Sequence, residues 1–150
     1  MSAPVSAETG ADNQAVVAPK ETITIALIPK KKGLPYFTSC ASGAEAAAQE
    51  LGNVTLIYDG PTDGSPEKQA SMIEQYALKG VDVIAVSPND PDVVAPAMRK
   101  AREKGIHVIA WDADAVTDAR SYFVNQSTAQ AIAYGMVDTC LLYTSDAADE

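Results

Sequence analysis

A doubly wound α/β domain, a parallel sheet with helices on both faces, is the fold class this 150-residue chain predicts. Three observations carry that expectation. Short apolar, β-branched runs alternate with helix-patterned stretches along residues 21–139. The runs are continuously apolar, as strands buried on both faces require. Two stretches, "LKGVDVIAVSP" and "EKGIHVIAWDA", repeat one phrase: helix end, glycine, apolar strand, polar exit. That echo is the mark of successive βα units.

The elements follow in order. "TITIALIP" (22–29) is rich in β-branched residues and predicts the first strand. Pro35 suits the first turn of a helix, where a missing N–H costs nothing, and Gly52 closes that helix with a left-handed cap. "NVTLIYDG" (53–60) is the second strand. Ser65 and Pro66 supply the N-cap and first position of the next helix, whose residues Met72, Ile73, Tyr76 and Ala77 share a face and which ends at Gly80. "VDVIAVSP" (81–88) is the third strand. Asp90 and Pro91 open a helix with Val94, Ala97, Met98 and Ala101 on one face, closed by Gly105. Pro96 fits that helix only near its first turn. "IHVIAWD" is the fourth strand and "SYFVNQ" a shorter fifth, and "STAQAIAYGMVDT" begins a final helix.

Both ends fall outside this pattern. Residues 1–20 are small and polar without periodicity and read as a disordered linker. They contain neither the basic start nor the apolar centre of a secretory signal. "CLLYTSDAADE" (140–150) continues no preceding pattern and looks like one reading frame of a sequencing-library adapter. It is expected to be an artefact tail, in which case the natural protein runs on past Thr139 and this chain is a fragment.

Composition excludes several function classes. A net charge of −9 is the wrong sign for nucleic-acid binding, which needs clustered Lys and Arg to neutralise phosphates. No apolar run approaches the roughly 18–20 residues that span a membrane. Cys40 and Cys140 make no C-x-x-C pair, and one histidine, His107, cannot build a His-rich metal site. No cofactor or metal is expected. The chain has no Gly-x-x-x-x-Gly-Lys-Ser/Thr loop, no Gly-x-Gly-x-x-Gly in the first βα turn "PKKKGLP", and no Gly-x-Ser-x-Gly elbow.

In such sheets ligands bind beyond the carboxyl ends of the strands, near the switch in strand order. The residues leaving the strands are Pro29–Lys30, Asp59–Gly60, Ser87–Asn89, Asp112–Asp114 and Asn125–Gln126, with Tyr36 and Phe37 opening the first helix. A lysine, carboxylates, amides and a hydroxyl can hydrogen-bond a polyol, while a ring covers its C–H face. Asp112 and Asp114 could also flank a glycosidic bond as a catalytic pair. Asp112, nearer the strand end, is the stronger ligand candidate, and Asp114 could be a loop carboxylate. Lys31 and Lys32 are expected to be solvated, Asp59 to bind a ligand or cap a turn with Gly60, and Trp111 to pack rather than stack on a ligand.

Together "IALIPKKKGLPYF", "YDGPTDGSPEKQ", "GVDVIAVSPNDPD", "GIHVIAWDADA" and "RSYFVNQ" resemble the amino-terminal lobe of periplasmic sugar-binding proteins of ABC importers. The branch they resemble binds autoinducer-2 or rhamnose, and the likeness runs from about Ile23 to Thr139. It implies two α/β lobes closing on a ligand about a hinge, a monomer when full length, and delivery to an ABC permease in the membrane. It also implies a non-enzymatic role in the periplasm, or on the cell surface as a lipoprotein. In that branch the lysine after the first strand and the first aspartate of W-D-x-D contact the ligand, which falls on Lys30 and Asp112. The aromatic pair of ribose-type relatives falls on Tyr36 and Phe37. Leu34 and Ala113 replace the asparagine and arginine of those relatives, which favours the lysine-bearing branch. The expected ligand-binding set is therefore Lys30, Tyr36, Phe37, Asn89, Asp112 and Asp114. The alternative is the effector-binding core of a sugar-responsive repressor, which would carry a helix-turn-helix in front.

Overall fold

The computed structural model describes residues 21–146, with side chains through 141. Residues 1–20, read above as a linker, and 147–150 lie outside the described residues. Five strands form one sheet: β1 (Ile23–Ile28), β2 (Val54–Tyr58), β3 (Val83–Val86), β4 (His107–Trp111) and β5 (Tyr122–Val124). Their order is β2-β1-β3-β4-β5, and every pair is parallel. Strand order therefore reverses beside β1, between β2 and β3, and all five strands deliver their carboxyl ends to one edge. The helices are α1 (Pro35–Leu51), α2 (Pro66–Lys79), α3 (Pro91–Glu103) and α4 (Ala129–Asp146).

Local chemistry accounts for the helix boundaries. The Ser65 hydroxyl accepts from the Lys68 N–H at 3.1 Å, and Asp90 accepts from the N–H groups of Asp92 and Val93. Each side chain satisfies donors that the first helical turn leaves orphaned. Gly52 and Gly80 end α1 and α2 at φ 73°, in the left-handed region that a Cβ disfavours. Leu34, at the N-cap of α1, offers no side-chain bond, and Pro35 begins the helix.

Pro96 is not confined to the first turn. It is the sixth residue of α3, and its ring lies on the exposed face, so the carbonyl it leaves without a helical donor can be hydrated. A short 3₁₀ turn (Thr117–Ala119) between β4 and β5 was not anticipated.

The larger core lies on one face of the sheet. There Ala26, Ile28, Ile84, Val86, Val108 and Ala110 meet Ile73, Tyr76 and Ala77 of α2 and Val94, Met98 and Ala101 of α3. The α3 face read from the sequence is the buried one. On the opposite face α1 contributes buried Phe37 and Ala41, and Phe37 lies edge-on to Trp111 at 5.7 Å. In α4, capped by the Thr128 hydroxyl at the Ala131 N–H, the side chains of residues 129–141 are exposed, and the helix runs on across Thr139 to Asp146.

Candidate functional site

The switch in strand order gathers a polar cluster. Ile28 of β1 is in register with Val86 of β3, and Val86 with Ala110 of β4, so the chain leaves these strands at nearly one level. Beneath the cluster lies Gln69 of α2, fully buried. Its Nε2 donates to the carbonyls of Pro29 (3.1 Å) and Ser87 (2.7 Å), and its Oε1 accepts from the Asn89 N–H (2.9 Å). One side chain thus fastens the exit of β1 to the exit of β3. Gly60, at the end of β2, lies so near Pro29 that an added Cβ would stand 2.8 Å from two ring carbons.

Asp112 is the centre of the cluster. It follows β4 directly and is the one non-glycine with positive φ (63°) among the described residues. Left-handed backbone costs an L-residue roughly 1–2 kcal/mol, and aspartate is among the side chains that tolerate it. Its Oδ2 accepts from the Ser87 hydroxyl at 2.7 Å and pairs with the Lys30 ammonium at 3.2 Å. Its Oδ1 accepts one long bond, 3.4 Å, from Gln126 Nε2. Burial by itself would raise the Asp112 carboxyl, but the Ser87 hydroxyl, the Lys30 charge and the Tyr36 phenol outweigh it and hold it below its ordinary value. Tyr36 is half exposed and accepts from Gln126 Nε2 at 3.1 Å. Its phenol is pushed up to about 12, first by burial, then by the Asp112 charge and by Cys40.

The six expected site residues divide. Lys30, Tyr36 and Asp112 come together, and Phe37 lies beneath them as a buried ring, its centroid 5.1 Å from that of Tyr36. Asn89 sends its amide nitrogen to the Lys30 carbonyl at 2.6 Å, which holds the backbone of the lysine. Asp114 forms a two-pronged pair with Arg120 (2.5 and 3.0 Å) and accepts from the Ala115 N–H. Ser87 and Gln126 join the site although the expected set did not include them.

The other strand exits are also charge-paired. Lys32, expected to be solvated, reaches Asp59 at 3.4 Å and lies over the Tyr58 ring. Asp59 caps Gly60 and accepts from the Tyr76 hydroxyl at 3.0 Å. Burial raises the Asp59 carboxyl, but Tyr76, the Gly60 N–H and Lys32 bring it below its ordinary value. His107 opens β4, at the opposite end of the sheet, and is remote from all of this.

Sequence comparison matches residues 25–136 to the periplasmic binding protein domain. The ribose import binding protein RbsB of Escherichia coli is 29% identical over 92 residues, covering 61% of this chain and 30% of that protein. The solved structure of LsrB from Clostridium saccharobutylicum in complex with AI-2 aligns with TM-score 0.74 at 28% identity, over 77% of this chain and 35% of that one. An ABC transporter solute-binding protein from Clostridium phytofermentas with bound L-rhamnose aligns with TM-score 0.73 at 32% identity, over 80% and 37%. The chain thus spans about a third of the length of each relative. With most of its length matched in sequence, and its sheet matching one lobe of these structures, the chain belongs to the periplasmic binding protein domain family.

Proposed function

We propose that this chain is the amino-terminal lobe of a solute-binding protein that captures a small neutral sugar, or a sugar-like signal, for an ABC importer. Residues 21–139 form the lobe in this reading, and residues 140–150 are foreign to it. A single observation carries the proposal: the strand exits are rich in hydrogen-bonding groups yet balanced in charge. Asp112 is paired with Lys30, Asp59 with Lys32, and Asp114 with Arg120. An anionic ligand would find no free cation at Asp112, and a cationic one would compete with Lys30. A polyhydroxy ligand needs only donors and acceptors, with a ring such as Tyr36 to cover its C–H face.

The names of the relatives agree with importer service and favour it over a repressor core. Lys30 beside Asp112 supports the branch that binds autoinducer-2 or rhamnose. The protein works in the periplasm or as a cell-surface lipoprotein, as a monomer that meets a permease in the membrane. It holds its ligand without chemistry: Asp112 and Asp114 are each tied to a cation, and the Asp112 carboxyl is held below its ordinary value, the opposite of what a general acid requires.

In the full-length protein, titration calorimetry should detect binding of autoinducer-2, L-rhamnose or D-ribose. Asp112→Asn keeps the shape of the side chain and removes its charge. A hydrogen bond to a charged group contributes about 1.5–3 kcal/mol, so the variant should bind about 10- to 100-fold more weakly. Equal affinity of variant and wild type would refute the site.

A further inference from the structure

We infer that Gln126 is a specificity-determining residue: with Asp112 it selects a ligand hydroxyl over any group that only donates or only accepts. The inference rests on the sugar-binding reading above. It begins with the inequality of the two Asp112 oxygens. Oδ2 is filled by Ser87 at 2.7 Å and Lys30 at 3.2 Å. Oδ1 accepts from Gln126 Nε2 at 3.4 Å, at the weak end of hydrogen bonding; the Tyr36 phenol also bears on the carboxylate, but Oδ1 remains the less filled of the two oxygens and has acceptor capacity to spare.

A carboxylate can only accept, so the nitrogen of the amide is the end that faces it. That nitrogen carries two hydrogens, one directed to the Tyr36 oxygen and the other to Asp112. A hydroxyl placed between Gln126 and Asp112 would donate to Oδ1 and accept from Nε2. One long bond would become two of ordinary length, and the bond to Tyr36 could remain. A ligand carbonyl would satisfy Gln126 but set its lone pairs against Asp112. An ammonium would satisfy Asp112 and leave Gln126 without an acceptor. A bare C–H would satisfy neither.

The loop that carries Gln126 is fixed at the backbone on either side of it. Gln126 sits between β5 and α4, where the Asn125 side chain accepts from the Ser127 N–H at 3.3 Å and Thr128 caps the helix. It joins three elements distant in sequence: α1 through Tyr36, the β4 exit through Asp112, and its own loop.

The test uses the full-length protein, the sugar it binds most tightly among L-rhamnose, D-ribose and D-xylose, and the monodeoxy analogues of that sugar. In wild type at least one analogue should bind about ten-fold or more weakly than the parent. In Gln126→Leu the parent should weaken about ten-fold while that analogue stays within about two-fold, so the discrimination collapses. A purely structural Gln126 would weaken both alike, and an unchanged parent-to-analogue ratio overturns the inference. Gln126→Glu places a second carboxylate beside Asp112. It should weaken the parent at neutral pH and recover as the pH falls, and wild-type affinity at neutral pH also overturns the inference. If wild type binds neither these sugars nor autoinducer-2, the proposed function falls and takes this assignment with it. If Asp112→Asn weakens binding but Gln126→Leu keeps the ratio, only this inference falls.

Discussion

Replacing Gln69 with leucine isolates the tie that holds the site's floor. Gln69 is 0% exposed, and its amide serves three backbone groups: the carbonyls of Pro29 and Ser87 and the N–H of Asn89. Leucine fills similar space but leaves all three without that partner. A buried polar group left unpaired costs about 1–3 kcal/mol, so three cost about 3–6 kcal/mol even when some relax toward water. The leucine returns about 1 kcal/mol through added apolar burial. The net loss of about 2–5 kcal/mol is a large share of the roughly 5–15 kcal/mol that stabilises an ordinary domain. Urea unfolding followed by circular dichroism should show a lower midpoint with an unchanged slope. Gln69→Glu sharpens the test. An ionised carboxylate would face two carbonyls, whereas the protonated form can donate to one of them. Its folded-state pKa must therefore lie above the unfolded value, and this variant alone should gain stability as the pH falls through the carboxylate range. If Gln69→Leu stays within about 0.5 kcal/mol of wild type, the tie contributes nothing and the reasoning is wrong.

Two further predictions concern the same edge of the sheet. In Gly60→Ala the new Cβ would stand 2.8 Å from Cγ and Cδ of the buried Pro29 ring, a rigid neighbour that cannot swing aside. The β1 and β2 exits must part, at a cost of about 1–3 kcal/mol; a thermal midpoint equal to wild type would show that the contact is relieved at no cost. At high pH, Tyr36 and Tyr76 keep their protons up to about 12 in the folded chain, against 10.0 for an ordinary tyrosine. Their contribution to stability is complete below pH 10.0 and lost as the pH rises toward about 12. In an absorbance titration these two should ionise above the ordinary 10.0, together with unfolding, and Tyr36→Phe and Tyr76→Phe should each remove part of that late phase. Ionisation of both near pH 10.0 with the fold intact would contradict this.

The fold was legible because its punctuation is local. Gly52, Gly80, Ser65 and Asp90 act within a few residues of themselves, and each caps the helix expected of it. The 3₁₀ turn at Thr117–Ala119 has no such signature, being too short for periodicity. Lys30 and Asp112 could be nominated as strand exits, but their pairing depends on strand order, which no local pattern states. The same holds for Lys32 and Asp59: a lysine in "KKK" reads as solvated until β2 is known to lie beside β1. Gln69 was missed for a different reason. A glutamine on a helix reads as surface, yet it stands four residues before Ile73 and seven before Tyr76, on the face that α2 buries. A polar residue on an apolar face was the available signal. Gln126 was visible as a strand exit, but nothing in the sequence places it between Tyr36 and Asp112, 90 and 14 residues away.

On the proposed reading, these features bear on how one lobe can prepare its half of the site before a ligand arrives. Asp112 sits in left-handed backbone, a conformation that disfavours itself by roughly 1 kcal/mol. It is held there by contacts wholly inside this chain: Ser87 and Lys30 on one oxygen, Gln126 on the other. Lys30 is in turn fixed through its carbonyl by Asn89, and the Asn89 N–H is held by Gln69. The chain of support runs from a buried side chain to the carboxylate without a gap, so the ligand does not have to order these groups when it arrives. Ordering a long side chain on binding costs about 0.5–1.5 kcal/mol, and a site already ordered keeps that free energy for affinity. If the site binds as proposed, Asn89 serves it through Lys30: its amide holds the lysine's carbonyl at 2.6 Å and so fixes where the lysine stands.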